Sequence, residues 1–212
     1  MAIDRVEHGR YTEVSYYQYR TGPVYKYVRA IIGVLTWPIT VPMALLSRIS
    51  DEIFRTFSEL LSVVPFLVGF VFRSEFYRFS LHSFGHNVLV DFGALFLYRD
   101  VCVGSNVYIA SYVTVHHCDI GDYVLVSEGC SLLSGSRYHH FDRTDTPIAL
   151  QGGAKTRIVI GADSWIGARS VIMADVGAGS IVGAGSVVTK PVQPQTVVAG
   201  NPARLLRKRD AQ

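Results

Sequence analysis

Charge is scarce in this chain: 17% of its 212 residues are Asp, Glu, Lys or Arg, and the formal net charge is only +3. No Lys/Arg run interrupts the body, and the one basic cluster is Arg204, Arg207, Lys208 and Arg209. A nucleic-acid partner is not expected, because such binding leaves a broader basic footprint. Cysteine is scarce too. Cys102, Cys118 and Cys130 form no CxxC pair, and an odd count without framework spacing points to a reducing compartment, hence to the cytoplasm. Residues 1–20 are polar and aromatic, without the apolar core and small-residue cleavage site of a secretory signal.

Apolar residues are plentiful, at 49%, which excludes a disordered chain and leaves room for one sizeable core with an appended segment. So little charge on so apolar a chain implies surface hidden in an oligomer or against a membrane.

The chain has two grammars. Residues 1–84 read as an apolar helical segment. Residues 30–47 carry no charge and are flanked by Arg29 and Arg48; residues 60–72 carry none either. The first run approaches the length of a bilayer span, but Pro38 and Pro42 sit within it and are expected to break or kink a helix. Ile49, Ile53, Phe57, Leu60 and Leu61 follow helical spacing, with Asp51 and Glu52 suited to a first turn. Two or three helices are expected, each with one apolar side. That side packs against the rest of the molecule or a neighbouring subunit, makes peripheral membrane contact, or spans the bilayer; the sequence leaves all three open.

Residues 85–203 change period. Stepping by six gives Val103, Ile109, Val115; then Ile120, Val126, Leu132; then Ile160, Ile166, Ile172; then Val176, Val182, Val188. The residue after the anchor is Gly at 104, 121, 161, 167, 177 and 183. The residue four after it is small or β-branched: Val107, Val113, Val124, Cys130, Ser164, Ser170, Ser180 and Ser186. A period of six fits neither 3.6 nor simple alternation. It fits a chain that turns a corner every six residues, with an aliphatic anchor inside each corner and three sides to a coil. Glycine serves where a corner needs unusual dihedrals or close approach. The step from Ile172 to Val176 is two residues short of the hexad. A basic tail, 204–212, follows.

Register is lost from 134 to 157. This inserted loop carries Tyr138, His139, His140, Asp142, Arg143 and Asp145. Loops this long are uncommon, and loops on a rigid scaffold are where sites gather. Histidine titrates near neutrality and can accept a proton from an attacking hydroxyl. Asp142 or Asp145 could orient the imidazole; His116 and His117 lie in a regular coil, where one could face the cleft.

The 134–147 loop, Trp165-Ile166-Gly167, the 182–190 stretch Val-Gly-Ala-Gly-Ser-Val-Val-Thr-Lys and Gly200-Asn201-Pro202-Ala203-Arg204 together resemble the hexapeptide-repeat acyltransferases, in the branch of galactoside, maltose and xenobiotic acetyltransferases. The resemblance covers roughly residues 85–207. The helical part is similar in general character to surface-polysaccharide O-acetyltransferases.

The resemblance implies a mainly β protein, a left-handed parallel β-helix. It implies acetyl-CoA as cosubstrate, no metal, and a homotrimer with sites between subunits. It makes a loop histidine the general base, His139 or His140, and the offset of the family's histidine from Ser134-Gly135 and Phe141-Asp142 favours His139. It places Trp165 beside the pantetheine arm, Ala168, Ala184 and Gly185 along it, Thr189 and Lys190 near the nucleotide, and Arg204 and Arg207 at the phosphates.

The expected activity is O-acetylation of a sugar hydroxyl in polysaccharide or glycolipid biosynthesis, at the inner face of the cell membrane, with N-acetylation of an amino sugar as the alternative. A γ-type carbonic anhydrase shares this fold, but it needs a spaced histidine trio, whereas His116-His117 and His139-His140 are adjacent pairs. A non-enzymatic scaffold would have no need of the histidine-bearing loop.

Overall fold

The computed structural model describes residues 23–209. The reading of residues 1–20 lies outside them, as does the end of the basic segment. Three helices precede the repeats: α1 (Pro23–Leu46), α2 (Asp51–Ser62) and α3 (Phe66–Ser80). α2 starts where Ser50 accepts from the Ile53 N–H at 3.2 Å, with Asp51 and Glu52 in the first turn.

The repeats wind a left-handed parallel β-helix of about six coils. Its first face stacks Ser83–Phe84, Cys102–Val103, Cys118–Ile120 and Ile158–Ile160, continued by bridges at Val176 and Val192. Its second face stacks Leu89–Val90, Tyr108–Ile109, Leu125–Val126, Trp165–Ile166, Ile181–Val182 and Thr196–Ala199. Its third face stacks Leu95–Phe96, Thr114–Val115, Ser131–Leu132, Val171–Ile172 and Val187–Val188. All twelve anchors are buried, as are the small residues four places after the first-face and second-face anchors. Each buried anchor contributes roughly 1.5–3 kcal/mol of burial.

Two glycine roles separate by position. The residue after an anchor is where successive coils nearly touch: a Cβ on Gly121 would lie 2.6 Å from the Ala162 nitrogen. The left-handed residue sits three places after the anchor on the first two edges, and there it is often not glycine: Asn106, Tyr112, Tyr123, Asp163, Arg169 and Gln195 all have φ near +60°. The serines of the inner row are satisfied. Ser164, Ser170 and Ser180 each donate to a carbonyl of the next coil, at 3.1, 3.0 and 2.9 Å.

Four expectations change. The short step at 172–176 is no departure, because the third corner also takes four residues from Val188 to Val192 and five from Val115 to Ile120; the 134–157 loop is an insertion at this same corner. A first coil on Phe84, Val90 and Phe96 precedes Val103, hidden by a seven-residue step. Arg204–Lys208 is no tail but a strand, antiparallel to Thr196–Ala199. α1 runs unbroken through Pro38 and Pro42, because α3 packs along it and only two amide donors are lost.

The helices close one end of the β-helix, and a single core runs from Ala44 and Phe54 to Val198. Ser58 bonds the Tyr77 hydroxyl at 2.6 Å and donates to the Phe96 carbonyl at 3.0 Å. Burial pushes the Tyr77 phenol up to about 12. Arg73, buried, donates to the carbonyls of Leu61, Val64 and Val90, tying all three layers. α2 buries Phe54, Ser58 and Leu61, while Ile49 and Leu60 of the expected apolar side stay exposed. The three cysteines are free.

Candidate active site

The third edge of the prism, after the third-face anchors, gathers the chemistry. Tyr98 and Asp100 follow Phe96, His116 and His117 follow Val115, the 134–157 loop follows Leu132, and Thr189-Lys190 follows Val188. The loop is a built feature. Its ends are tied by Thr156 N–H to the Ser134 carbonyl (3.0 Å), Ala154 N–H to Arg137 (3.0 Å) and His140 N–H to Gly152 (2.9 Å). The Gln151 amide donates to the carbonyls of Arg143 and Thr146 across the turn.

His117 is the best-held imidazole. Its Nδ1 lies 2.8 Å from both Asp100 carboxylate oxygens. Arg157 holds that carboxylate from behind, with Nη2 2.6 Å from Asp100 Oδ2 and Nη1 2.7 Å from Asp119 Oδ1. The Tyr98 ring stacks on His117 at 3.8 Å. A carboxylate on one ring nitrogen leaves the other free to face a substrate. His116, beside it, is held below its usual value of 6.5 by burial and by His117, and its Nδ1 is buried without a partner.

The loop joins this cluster through Tyr138. Its hydroxyl lies 3.3 Å from that of Tyr98, and Lys155 donates to the Tyr98 hydroxyl at 2.9 Å. Burial works to raise Tyr98, but the bonds from Lys155 and Tyr138 outweigh it and lower the phenol; Tyr98 in turn raises Tyr138. His139 packs edge-on against Tyr138, ring centroids 5.0 Å apart, and is itself exposed. Asp145 is bidentate to Arg143, at 3.0 and 2.7 Å, so it orients neither loop histidine. Among the described residues no hydrogen bond joins Asp142 to them.

Trp165, Ala168, Ala184 and Gly185 lie elsewhere, on the second face and second edge. Trp165 is 49% exposed, between Leu125 and Ile181 in register, and its indole N–H donates to Ser127 at 3.0 Å. A Cβ on Gly185 would meet nothing within 4 Å, so an extended chain can lie against this backbone. Arg204 pairs with Ala199 and Arg207 with Val197, which puts both residues on the end strand of the second face. The expected site residues therefore form two groups, the loop histidines with Thr189-Lys190 at the third edge, and Trp165, Ala168, Ala184, Gly185, Arg204 and Arg207 on the second face and edge. Tyr98, Asp100, Lys155 and Arg157 were missed by sequence reasoning; stacking the third corners in register would have aligned Asp100 with His117. No group of three His, Cys, Asp or Glu gathers in metal-binding geometry among the described residues.

The bacterial transferase hexapeptide family (six repeats) matches residues 157–190. Galactoside O-acetyltransferase of Escherichia coli K12 is 34% identical over 143 residues, 64% of this chain and 68% of that protein. The chain belongs to the hexapeptide-repeat acyltransferases. Among solved structures, a hexapeptide-repeat acetyltransferase of Vibrio cholerae superposes with a TM-score of 0.65 at 27% identity, covering 76% of this chain and 93% of that one. A galactoside acetyltransferase in complex with coenzyme A gives 0.62 at 25% identity, covering 76% and 82%. The match to Escherichia coli chloramphenicol acetyltransferase, 32% identical over 108 residues and 42% of this chain, spans half that relative's length.

Proposed function

We propose that this protein is an acetyl-CoA-dependent O-acetyltransferase acting on a sugar hydroxyl in polysaccharide or glycolipid assembly at the cytoplasmic face of the membrane. The observation that carries the reading is the identity with galactoside O-acetyltransferase over two thirds of that enzyme. In support, an ordered histidine-bearing loop projects from the third edge, and the second edge offers an open backbone strip of the kind a pantetheine chain needs.

In this reading a loop imidazole, His139, takes the proton as the acceptor oxygen attacks the thioester carbonyl. The C–S bond breaks, and the departing sulfur receives a proton to leave as free CoA thiol. Backbone N–H groups supply the oxyanion donors, and much of the acceleration comes from holding the two reactants together. Trp165, Ala168, Ala184 and Gly185 flank the pantetheine, Thr189 and Lys190 the nucleotide end, and Arg204 and Arg207 the phosphates, where guanidinium forks suit them. Because the two groups occupy different edges, the complete site forms between neighbouring copies of a homotrimer.

A second assignment of the base is favoured by one observation. His117 already has the imidazole–carboxylate arrangement, with Asp100 on Nδ1, that a general base needs. His140 remains the alternative within the loop.

The test is thiol release from acetyl-CoA with a panel of sugars, amino sugars and glycolipids. Turnover with hydroxyl acceptors supports the reading, turnover confined to amino sugars transfers it to N-acetylation, and failure to bind CoA overturns it.

A further inference from the structure

α1 is turned inside out. Its inward line is Gly33, Thr36, Thr40, Ala44 and Ser47, all buried. Every hydroxyl residue between 30 and 47 faces the protein, each bonded to its own helix: Thr36 to Gly33, Thr40 to Thr36 and Ser47 to Met43, at 2.7, 3.1 and 2.8 Å. Every exposed residue in that stretch is apolar: Ala30, Ile31, Val34, Leu35, Trp37, Pro38, Ile39, Pro42, Leu45 and Leu46, with Leu35 72% exposed. A helix between protein and water has the opposite polarity. Small residues toward a neighbouring helix and large apolar ones outward is the pattern of a helix in lipid.

The patch does not stop at α1. Arg29 lies over the Phe70 ring, Gly33 lies beside Glu75, and Trp37 packs on Phe79, so α1 and α3 run side by side in the same direction. The start of α3 therefore adjoins the start of α1. There Val63, Phe66 (87% exposed) and Val68 extend the apolar surface.

We propose that this surface is a membrane-docking face: α1 lies in the plane of a lipid bilayer with its outward side in the acyl region. A protein partner is disfavoured by chemistry. Protein interfaces carry about one hydrogen bond per 100–200 Å², and the outward side of residues 30–47 offers no side-chain hydroxyl, amide or charge except the Trp37 indole, already given to Glu75 at 3.1 Å. Among the described residues, α1 is the one helix long and apolar enough to cross a membrane. Yet it is fastened to the body by that indole bond and by Arg29, which donates to the Val88 carbonyl of the first coil at 3.1 Å. Crossing would carry α3, with its buried Arg73 and Glu75, and the first coil into the membrane, whereas lying in the interface leaves them in the protein body outside it. The inference does not rest on the acyltransfer reading.

The experiment is flotation of the full chain with vesicles of phosphatidylethanolamine and phosphatidylglycerol, paired with fluorescence. The chain has two tryptophans, Trp37 and Trp165, so Trp165→Phe leaves Trp37 as sole reporter. The expected result is co-flotation, quenching of Trp37 by lipids brominated on the acyl chain, and loss of both in Ile31→Glu/Leu35→Glu/Ile39→Glu while circular dichroism is unchanged. Should that variant misfold, Trp37 quenching in the Trp165→Phe protein decides alone. Protein that stays at the bottom of the gradient with Trp37 unquenched overturns the proposal. So does a large assembly that falls apart in the variant, since that outcome assigns the face to another copy of the chain.

Discussion

His117 and His139 differ in what holds them. His117 has Asp100 on Nδ1, Arg157 behind Asp100 and Tyr98 on its face; His139 has only the edge of Tyr138. A base needs a fixed orientation, and a partner subunit is where His139 would find one. Asp100→Asn discriminates between the two. If His139 is the base, kcat falls by no more than about 10-fold; if His117 is, it falls by roughly 10²–10⁴-fold, the range of a lost general base. His116 gives a stability prediction. Its folded pKa lies below 6.5, so the unfolded chain binds more protons in acid, and the stability present above that value drains away as the pH falls through the depressed one. The melting temperature should drop on acidification below about 6.5, and drop less in His116→Asn. The sequence offered these histidines as adjacent pairs and favoured His139, but it did not show what holds His117, because Asp100 and Arg157 are partners brought by stacking and not by proximity in the chain.

At the scale of elements, the hexad was legible because each corner repeats one steric problem: an aliphatic inside, a near-touching backbone after it, a left-handed residue two places on. The first coil escaped because Phe96 to Val103 takes seven residues, and the third corner has no fixed length since it carries the loop. The helices were legible as helices but not in their facing. Periodicity set Ile49, Leu60 and Leu61 on one apolar side without saying what covers it; the fold buries Leu61 with Phe54 and Ser58 and leaves Ile49 and Leu60 exposed. Two substitutions test the corner account. Ile166→Ala should cost about 2–5 kcal/mol, read as a shift in the urea midpoint. Gly121→Val should cost more than Gly185→Ala, since only the former drives a side chain into the next coil's backbone; comparative melting of the two decides this.

For the whole molecule, the site residues named from the sequence fall in two places on one prism, the loop histidines and Thr189-Lys190 at the third edge and the remainder on the second face and edge. That division was not legible in the linear order, where His139 and Trp165 are 26 residues apart. It predicts complementation. A His139→Ala chain and an Ala184→Trp chain should each be inactive alone, and unfolding and refolding them together should restore part of the activity. No recovery means that both halves serve within one chain. The helical layer bears on this arrangement: Arg48, at the end of α1, and Asp100, which holds His117, line one cavity of about 280 Å³ with Phe79, His82 and Arg99. If both proposals hold, this cavity lies between the end of the docking helix and the third edge, where a lipid-linked acceptor would enter.

The measurement that bears most directly on the central claim is steady-state thiol release from acetyl-CoA, with CoA affinity in parallel, for wild type, His139→Ala, His140→Ala and His117→Gln. The account predicts that wild type turns over a hydroxyl acceptor, and that His139→Ala loses about 10²–10⁴-fold in kcat with CoA affinity intact. Loss confined to His117→Gln or His140→Ala would keep the reaction and move the base. Undiminished turnover in all three variants, or a wild type that binds no CoA, would contradict it.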